Sequence, residues 1–380
     1  MKNILITGGP VHAHLDSVKI ITNNFKGGLI AELAHDLSMN GEIQVTYLCS
    51  KASKLPAKSS HLKVVYHEGF DDYLARVLEM APKMDAVILG AAVANLIPYK
   101  AIEGKFPSHN YKPGDLVPLI FKIAPRVIDE VKKVAPKVHL FGFKLLDNVP
   151  QEELIKAAYG VLLESRATAV IANDRRDLEH KYIVTKERAV HPVTQNKCTR
   201  ILAEWIWNMV NDEYYTTSIF PWGDAKEIEI DKPNPWELKK LKEFSTLDTW
   251  GGFIETPEGY VFGTLAQRCG NNSFWTTGRG KREADSYVYV NDVNHVEKRI
   301  HTLGSKATLN APLLSHTFLM LPEVDFIAHS HVIPSKFKNL PYLKYAPPGT
   351  VRDSRRTIKG SFIIENHGLF LLYNRNGAIL

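Results

Sequence analysis

The sequence predicts an α/β protein of two unlike halves, a parallel-sheet domain followed by an α+β domain. Three observations carry this. Through residue 210, short apolar runs alternate with amphipathic stretches, the pattern of a parallel sheet with helices on both faces. From Trp236 the texture becomes strand-rich with only two helical stretches, as in a largely antiparallel sheet. A chain of 380 residues fits two domains of ordinary size. The expected bounds are 1–213 and 236–380, with 214–235, which holds three prolines and no periodicity, as the linker.

In chain order, Asn3–Thr7 is a strand, and Gly28–Met39 a helix with Leu29, Leu33, Ala34 and Leu37 at helical spacing. Gln44–Cys49 is a strand, Asp71–Met80 a helix, Ala86–Leu89 a strand and Ala124–Val134 a helix. His139–Phe143 (strand), Gln151–Arg166 (helix) and Ala169–Ala172 (strand) continue the alternation, and Cys198–Asn211 closes it as a helix. In the second half, strands are expected at Gly252–Glu255, Tyr260–Leu265, Tyr287–Val290, Phe326–His329 and Ser361–Leu372, with helices at Glu237–Phe244 and Ala311–Leu321.

Composition narrows the function. Hydrophobic residues at 44% and charged residues at 23% are globular values. The excess of 47 Lys and Arg over 41 Asp and Glu is spread along the chain, which suits anionic small ligands and falls short of a nucleic-acid-binding patch. No apolar run is long enough to span a membrane. The first residues turn to glycine too soon for a secretory signal. Three scattered cysteines, Cys49, Cys198 and Cys269, form neither a disulfide frame nor a CxxC zinc site. The expectation is a cytoplasmic protein in a reducing compartment.

The first strand runs into Gly8-Gly9-Pro10, and Gly27-Gly28 opens the first helix. Bare backbone and free helical N–H groups attract phosphate, although neither the dinucleotide nor the P-loop fingerprint is present. The blocks in order are Ile4-Leu5-Ile6-Thr7-Gly8-Gly9-Pro10, Leu15-Asp16-Ser17-Val18-Lys19 and Ile21-Thr22-Asn23-Asn24. Then follow Gly90-Ala91-Ala92-Val93-Ala94-Asn95, Glu103-Gly104-Lys105, Phe141-Gly142-Phe143-Lys144 and Ala172-Asn173-Asp174. This half resembles the phosphopantothenate–cysteine ligase domain, a Rossmann-like fold. The resemblance implies attack of a carboxylate on the α-phosphate of CTP or ATP with Mg2+, followed by aminolysis by cysteine. It implies Lys105 as the cation and Asn23 on the acyl carbonyl as catalytic groups. It implies Gly8, Gly9, Ala92, Asn95, Phe143, Asn173 and Asp174 at the nucleotide and substrate, and a homo-oligomer. The sequence departs where Asn95 replaces an aspartate and Ala124 an asparagine, and where Phe25-Lys26 stand for two serines.

In the second half His329 and His331, at i and i+2, share one side of a strand. Glu365-Asn366-His367-Gly368 follows on another strand, and three imidazoles suit an open zinc site. With Gly270-Asn271-Asn272-Ser273, Thr276-Thr277-Gly278, Lys306–Asn310 and Tyr345–Thr350, this half resembles the class II aldolase/adducin family, in a shortened form. The resemblance implies Zn2+ on His329, His331 and His367, with substrate phosphate on Asn271 (or Asn272), Thr277, Gly278 and Thr308. Asn310 stands where the family keeps its acid/base glutamate. An amide cannot take a proton, so Asn310 is expected to orient a substrate oxygen or water. The function expected is a ligase-like enzyme fused to a metal-binding aldolase-like domain, with a phosphorylated small molecule and a nucleotide as partners and neither nucleic acid nor membrane. The alternatives are a zinc-dependent lyase or dehydratase whose first half only binds ligand, and a non-catalytic scaffold.

Overall fold

Six parallel strands form the body of the first sheet in the computed structural model, which describes residues 1–194, 198–222, 235–246 and 250–380. They are β1 (Lys2–Gly8), β2 (Ile43–Cys49), β3 (Leu62–Tyr66), β4 (Ala86–Leu89), β5 (His139–Leu146) and β6 (Ala169–Asp174). β7 (His180–Thr185) and β8 (Val190–Thr194) continue the sheet antiparallel. The spatial order is β8-β7-β6-β5-β4-β1-β2-β3. The parallel part thus runs 3-2-1-4-5-6, the doubly wound order, whose direction reverses between β1 and β4. Among the described residues five α-helices complete this unit, Met1–Val210: α1 (Gly28–Ser38), α2 (Gly69–Met80), α3 (Val127–Val134), α4 (Gln151–Ser165) and α5 (Cys198–Asn211).

Burial follows the periodicities. Ile4 and Ile6 of β1 pack with Ile30, Leu33, Ala34 and Leu37 of α1 and with Leu202, Ile206 and Met209 of α5 in one core. Ile4, Leu5 and Ile6 of β1 are fully buried where they pair with Ala86, Val87 and Ile88 of β4, as parallel strands covered on both faces are.

The second unit, Asn211–Leu380, is built on a nine-stranded sheet. In chain order its strands are β9 (Thr216–Phe220), β10 (Thr264–Arg268), β11 (Phe274–Thr277), β12 (Tyr287–Asn294), β13 (Arg299–Leu303), β14 (Phe326–Ser330), β15 (Tyr342–Leu343), β16 (Phe362–Ile364) and β17 (Gly368–Tyr373). Their order is β9-β13-β12-β11-β10-β14-β17-β16-β15, antiparallel except at the two edges. α6 (Pro235–Ser245) and α7 (Ala311–Met320) are its longer helices.

The segment expected as a linker differs. Thr216–Phe220 pairs with β13, and Asp212, Glu213 and Tyr215 bind Arg352, Lys298 and His295. Only 223–234 of that span lies outside the described residues. The expected strand Ser361–Leu372 is two strands, broken by a turn at Glu365–His367.

Candidate functional site

The reversal between β1 and β4 opens a crevice at the carboxyl ends of the strands, the place where such sheets bind ligands. A cavity of about 880 Å³ lies there. Gly9, Gly90, Ala91 and Ala92 line it from the β1 and β4 ends, Asn23 and Phe25 from the loop before α1, and Phe143 and Asn173 from β5 and β6. Lys181, Cys198 and Thr199 close its far side. The amino end of α1 faces it through Gly27, Gly28 and Leu29, with no capping side chain. Its first N–H groups are left for a ligand.

Glycine is required where this corner is made. Gly9 and Gly27 have φ of 77° and 78°. A Cβ on Gly27 would stand 2.3 Å from Gly9 N, and one on Gly9 would stand 1.9 Å from Ser53 Oγ. Backbone meets backbone here, which seats the start of α1 against the end of β1. Gly8, one residue earlier, is buried under Tyr47 and does not line the cavity.

Three more predicted residues lie elsewhere. The carboxylate of Asp174 accepts backbone N–H groups of Val149, Arg176 and Asn148 at 2.9, 2.7 and 3.0 Å. These donors, Val149 first, hold its carboxyl below the usual range, and it fastens the β5–α4 loop rather than facing a nucleotide. Asn95 is exposed and gives its carbonyl to Ala124 N at the base of a hairpin, Leu96–Pro98 with Phe121–Ile123. Lys105 is exposed on the loop that this hairpin carries and is not a cavity-lining residue.

Sequence reasoning missed what anchors that loop. Asp16, 2% exposed, accepts Val18 N at 2.7 Å, Phe106 N at 2.9 Å and Lys19 Nζ at 3.1 Å, as well as Lys19 N. The Lys19 and Phe106 backbone donors hold its carboxyl well below the ordinary carboxylate range. Ser17 N donates to Gly104 O at 2.9 Å, so the clamp fixes the residues on both sides of Lys105. The signal lay in the Leu-Asp-Ser-Val-Lys block, where an aspartate two residues before free N–H groups makes an Asx turn.

Residues 1–205 match the family model of the DNA/pantothenate metabolism flavoprotein C-terminal domain. The chain belongs to this family. Two proteins named coenzyme A biosynthesis bifunctional protein CoaBC are similar to it. That of Thermococcus kodakarensis is 27% identical over 211 residues, 55% of this chain and 51% of that protein. That of Methanocaldococcus jannaschii is 26% identical over 189 residues, 48% of this chain and 44% of that protein. The chain spans about half the length of these curated relatives. The DNA/pantothenate metabolism flavoprotein from Streptococcus pneumoniae is 24% identical with a TM-score of 0.49, over 55% of this chain and 97% of that one. The family match covers the unit that holds the cavity and stops short of the second sheet.

The second unit gathers the histidines. His329 on β14, His331 just beyond it and His367 in the turn before β17 offer ligand atoms all within 4.8 Å of one another. Gly368 makes this possible, since a Cβ there would lie 2.3 Å from Ser330 O and 3.0 Å from His329 Cε1. His329 Nδ1 is 3.0 Å from Leu369 O, which makes Nδ1 the N–H donor and leaves the Nε2 lone pair free. That Nε2 is buried with no hydrogen-bond partner. A histidine fixed this way on one nitrogen and open on the other is the usual state of a metal ligand, and three neutral imidazoles fit zinc. Burial, reinforced by the charge of Lys281, pushes the His331 pKa down to about 4. Burial and His331 push that of His329 well below its ordinary value.

Thr264 stands opposite His329 in the ladder, so their side chains share a face. Its hydroxyl is 3.1 Å from Thr308 Oγ1 and accepts Asn310 Nδ2 at 3.3 Å. Thr308 N donates to Thr277 O at 3.0 Å, and Gly278 bridges Ala307. Thr277, Gly278, Thr308 and Asn310 therefore form one buried cluster beside His329. Asn271 is exposed on a turn, whereas Asn272 is spent on Asp292 and Ser315.

Proposed function

We propose that the N-terminal unit activates a carboxylate with CTP or ATP and magnesium for amide formation, as in phosphopantothenate–cysteine ligation. The observation that carries this reading is the switch-point cavity, lined together by Gly9, Asn23, Gly27, Gly28, Ala92, Phe143 and Asn173 in a chain of this family. Attack of one anion on another needs donors placed where negative charge builds up. The uncapped end of α1 and the bare Gly9 and Gly27 backbones supply them, and Asn23 orients the acyl carbonyl. Lys105 supplies a cation from its clamped loop. The test is pyrophosphate release from CTP or ATP in the presence of 4′-phosphopantothenate and cysteine. Asn23→Ala and Lys105→Ala are expected to lower the rate by about 10²–10³ without loss of fold. No release with either nucleotide, or equal turnover in both variants, would refute the assignment.

The histidine cluster favours a second activity in the C-terminal unit, an aldolase-like lyase or dehydratase acting on a phosphorylated substrate. His329, His331 and His367 would hold zinc, which when bound polarises a carbonyl or hydroxyl oxygen. Thr277, Gly278 and Thr308, with Asn271 at the rim, would hold the substrate phosphate. Asn310, whose Oδ1 is buried without a partner, would accept a hydrogen bond from a substrate hydroxyl or water and remove no proton.

A further inference from the structure

Lys181 is the least expected residue in the N-terminal cavity. It lines the wall yet is 5% exposed, and lysine is almost never buried unless its charge is balanced. Its Nζ donates to Leu178 O at 2.6 Å, which satisfies one of three N–H bonds and none of the charge. Among the described residues no carboxylate lies within ion-pair distance of it. Glu32, which also lines the cavity, faces Lys54 at 3.4 Å. A buried ammonium with no counter-charge is costly, and it becomes favourable when an anion enters beside it.

The surroundings favour a multiply charged one. Lys181 on β7 is directly opposite Asn173 on β6, so both side chains share the cavity face. Cys198 and Thr199, the first residues of α5, line the same wall. α5 and α1 are neighbours, sharing a groove through Glu32 and His35 on one side and Thr199 and Arg200 on the other. Both helix amino ends thus line the cavity that holds the buried cation, and each favours negative charge.

We infer that Lys181 holds the β- and γ-phosphates of the nucleotide, the group that departs as pyrophosphate. This rests on the ligase reading above. In that step the substrate carboxylate oxygen forms a bond to the α-phosphorus, the bond from that phosphorus to the α,β-bridging oxygen breaks, and pyrophosphate leaves with the electron pair. Lys181 neutralises the charge that collects on the leaving group, while Asn23 acts on the acyl side.

Calorimetric titration of the full chain with inorganic pyrophosphate and magnesium tests the inference without requiring turnover. The parent binds, Lys181→Met weakens binding by about tenfold or more, the loss of one charge-assisted contact, and Lys181→Arg restores most of it. Lys181→Gln serves if the methionine variant does not fold. Unchanged affinity in a folded neutral variant, or a parent that binds no pyrophosphate, overturns the inference. Pyrophosphate held through Lys181 in a chain that forms no acyl-nucleotide from CTP or ATP leaves Lys181 in place and refutes the ligase reading alone.

Discussion

His329 is constrained on every side, by Phe370 stacked at 4.1 Å, by the Leu369 carbonyl on Nδ1, and by the other two imidazoles at ring separations of 4.9 and 4.7 Å. A ligand nitrogen so oriented needs little reordering to take a metal. We predict about one zinc per chain in protein purified without chelator, and its loss in His329→Ala and in His367→Ala, measured by elemental analysis after zinc supplementation. Zinc content unchanged by His367→Ala would remove that residue from the site. These histidines were legible in the sequence because an i, i+2 pair on a strand declares its face. The same alternation explains the misreading of Asp174. Asn173 and Asp174 are adjacent, a strand turns successive side chains to opposite faces, and only Asn173 meets the cavity. A motif gives the pair, and the sheet decides which member faces the ligand.

Among the elements, the hairpin of Leu96–Pro98 and Phe121–Ile123 stands out, because it and its loop expose large apolar side chains. Leu116 is 93% exposed, Ile120 74% and Ile123 73%. Large apolar side chains exposed together along one segment mark an interaction site, and the expected occupant is a second copy of the chain. We predict a homo-oligomer at micromolar concentration that becomes a monomer when Leu116, Ile120 and Ile123 are changed together to serine, with little change in thermal midpoint. Light scattering decides it, and a monomeric parent refutes it. The strands read from the sequence were those with local apolar runs, such as Ala86–Leu89. Those missed were β3, β7, β8, β9, β11, β13 and β15; β7 pairs with β8, β11 with β10 and β13 with β12 as chain neighbours, whereas β9 owes its state to a distant partner. Thr216–Phe220 is flanked by aromatic and proline residues and becomes a strand by pairing with Arg299–Leu303, far along the chain. Such pairing reflects tertiary context more than propensity. The loop carrying Lys105 was illegible for a similar reason, since its path is set by a carboxylate some 90 residues earlier.

At the scale of the molecule, acid sensitivity follows from buried histidines. In the N-terminal unit burial pushes the pKa of His67, His139 and His191 down to about 4 each, against about 6.5 in an unfolded chain. Between those values the unfolded chain binds protons that the folded one refuses, so stability falls as pH drops from about 6.5 toward 4. Asp16 and Asp174, with lowered carboxyl values, add their loss only below about 4. The slope is on the order of 1.4 kcal/mol per pH unit for each histidine that stays neutral. Urea unfolding at pH 7, 5.5 and 4.5, followed by hydrogen exchange in β1–β6, should show a steadily falling midpoint, and a flat profile would refute the account.

The central place of β1 in its sheet also bears on how the chain is made. β1 pairs with Ile43–Cys49 on one edge and Ala86–Leu89 on the other, both synthesised after it. Its two hydrogen-bonding edges and its apolar faces therefore stay open until those later strands have emerged. Parallel pairing across such separations is slow and exposes sticky edges meanwhile. Nascent chains paused before residue 86 are the form most in need of a chaperone.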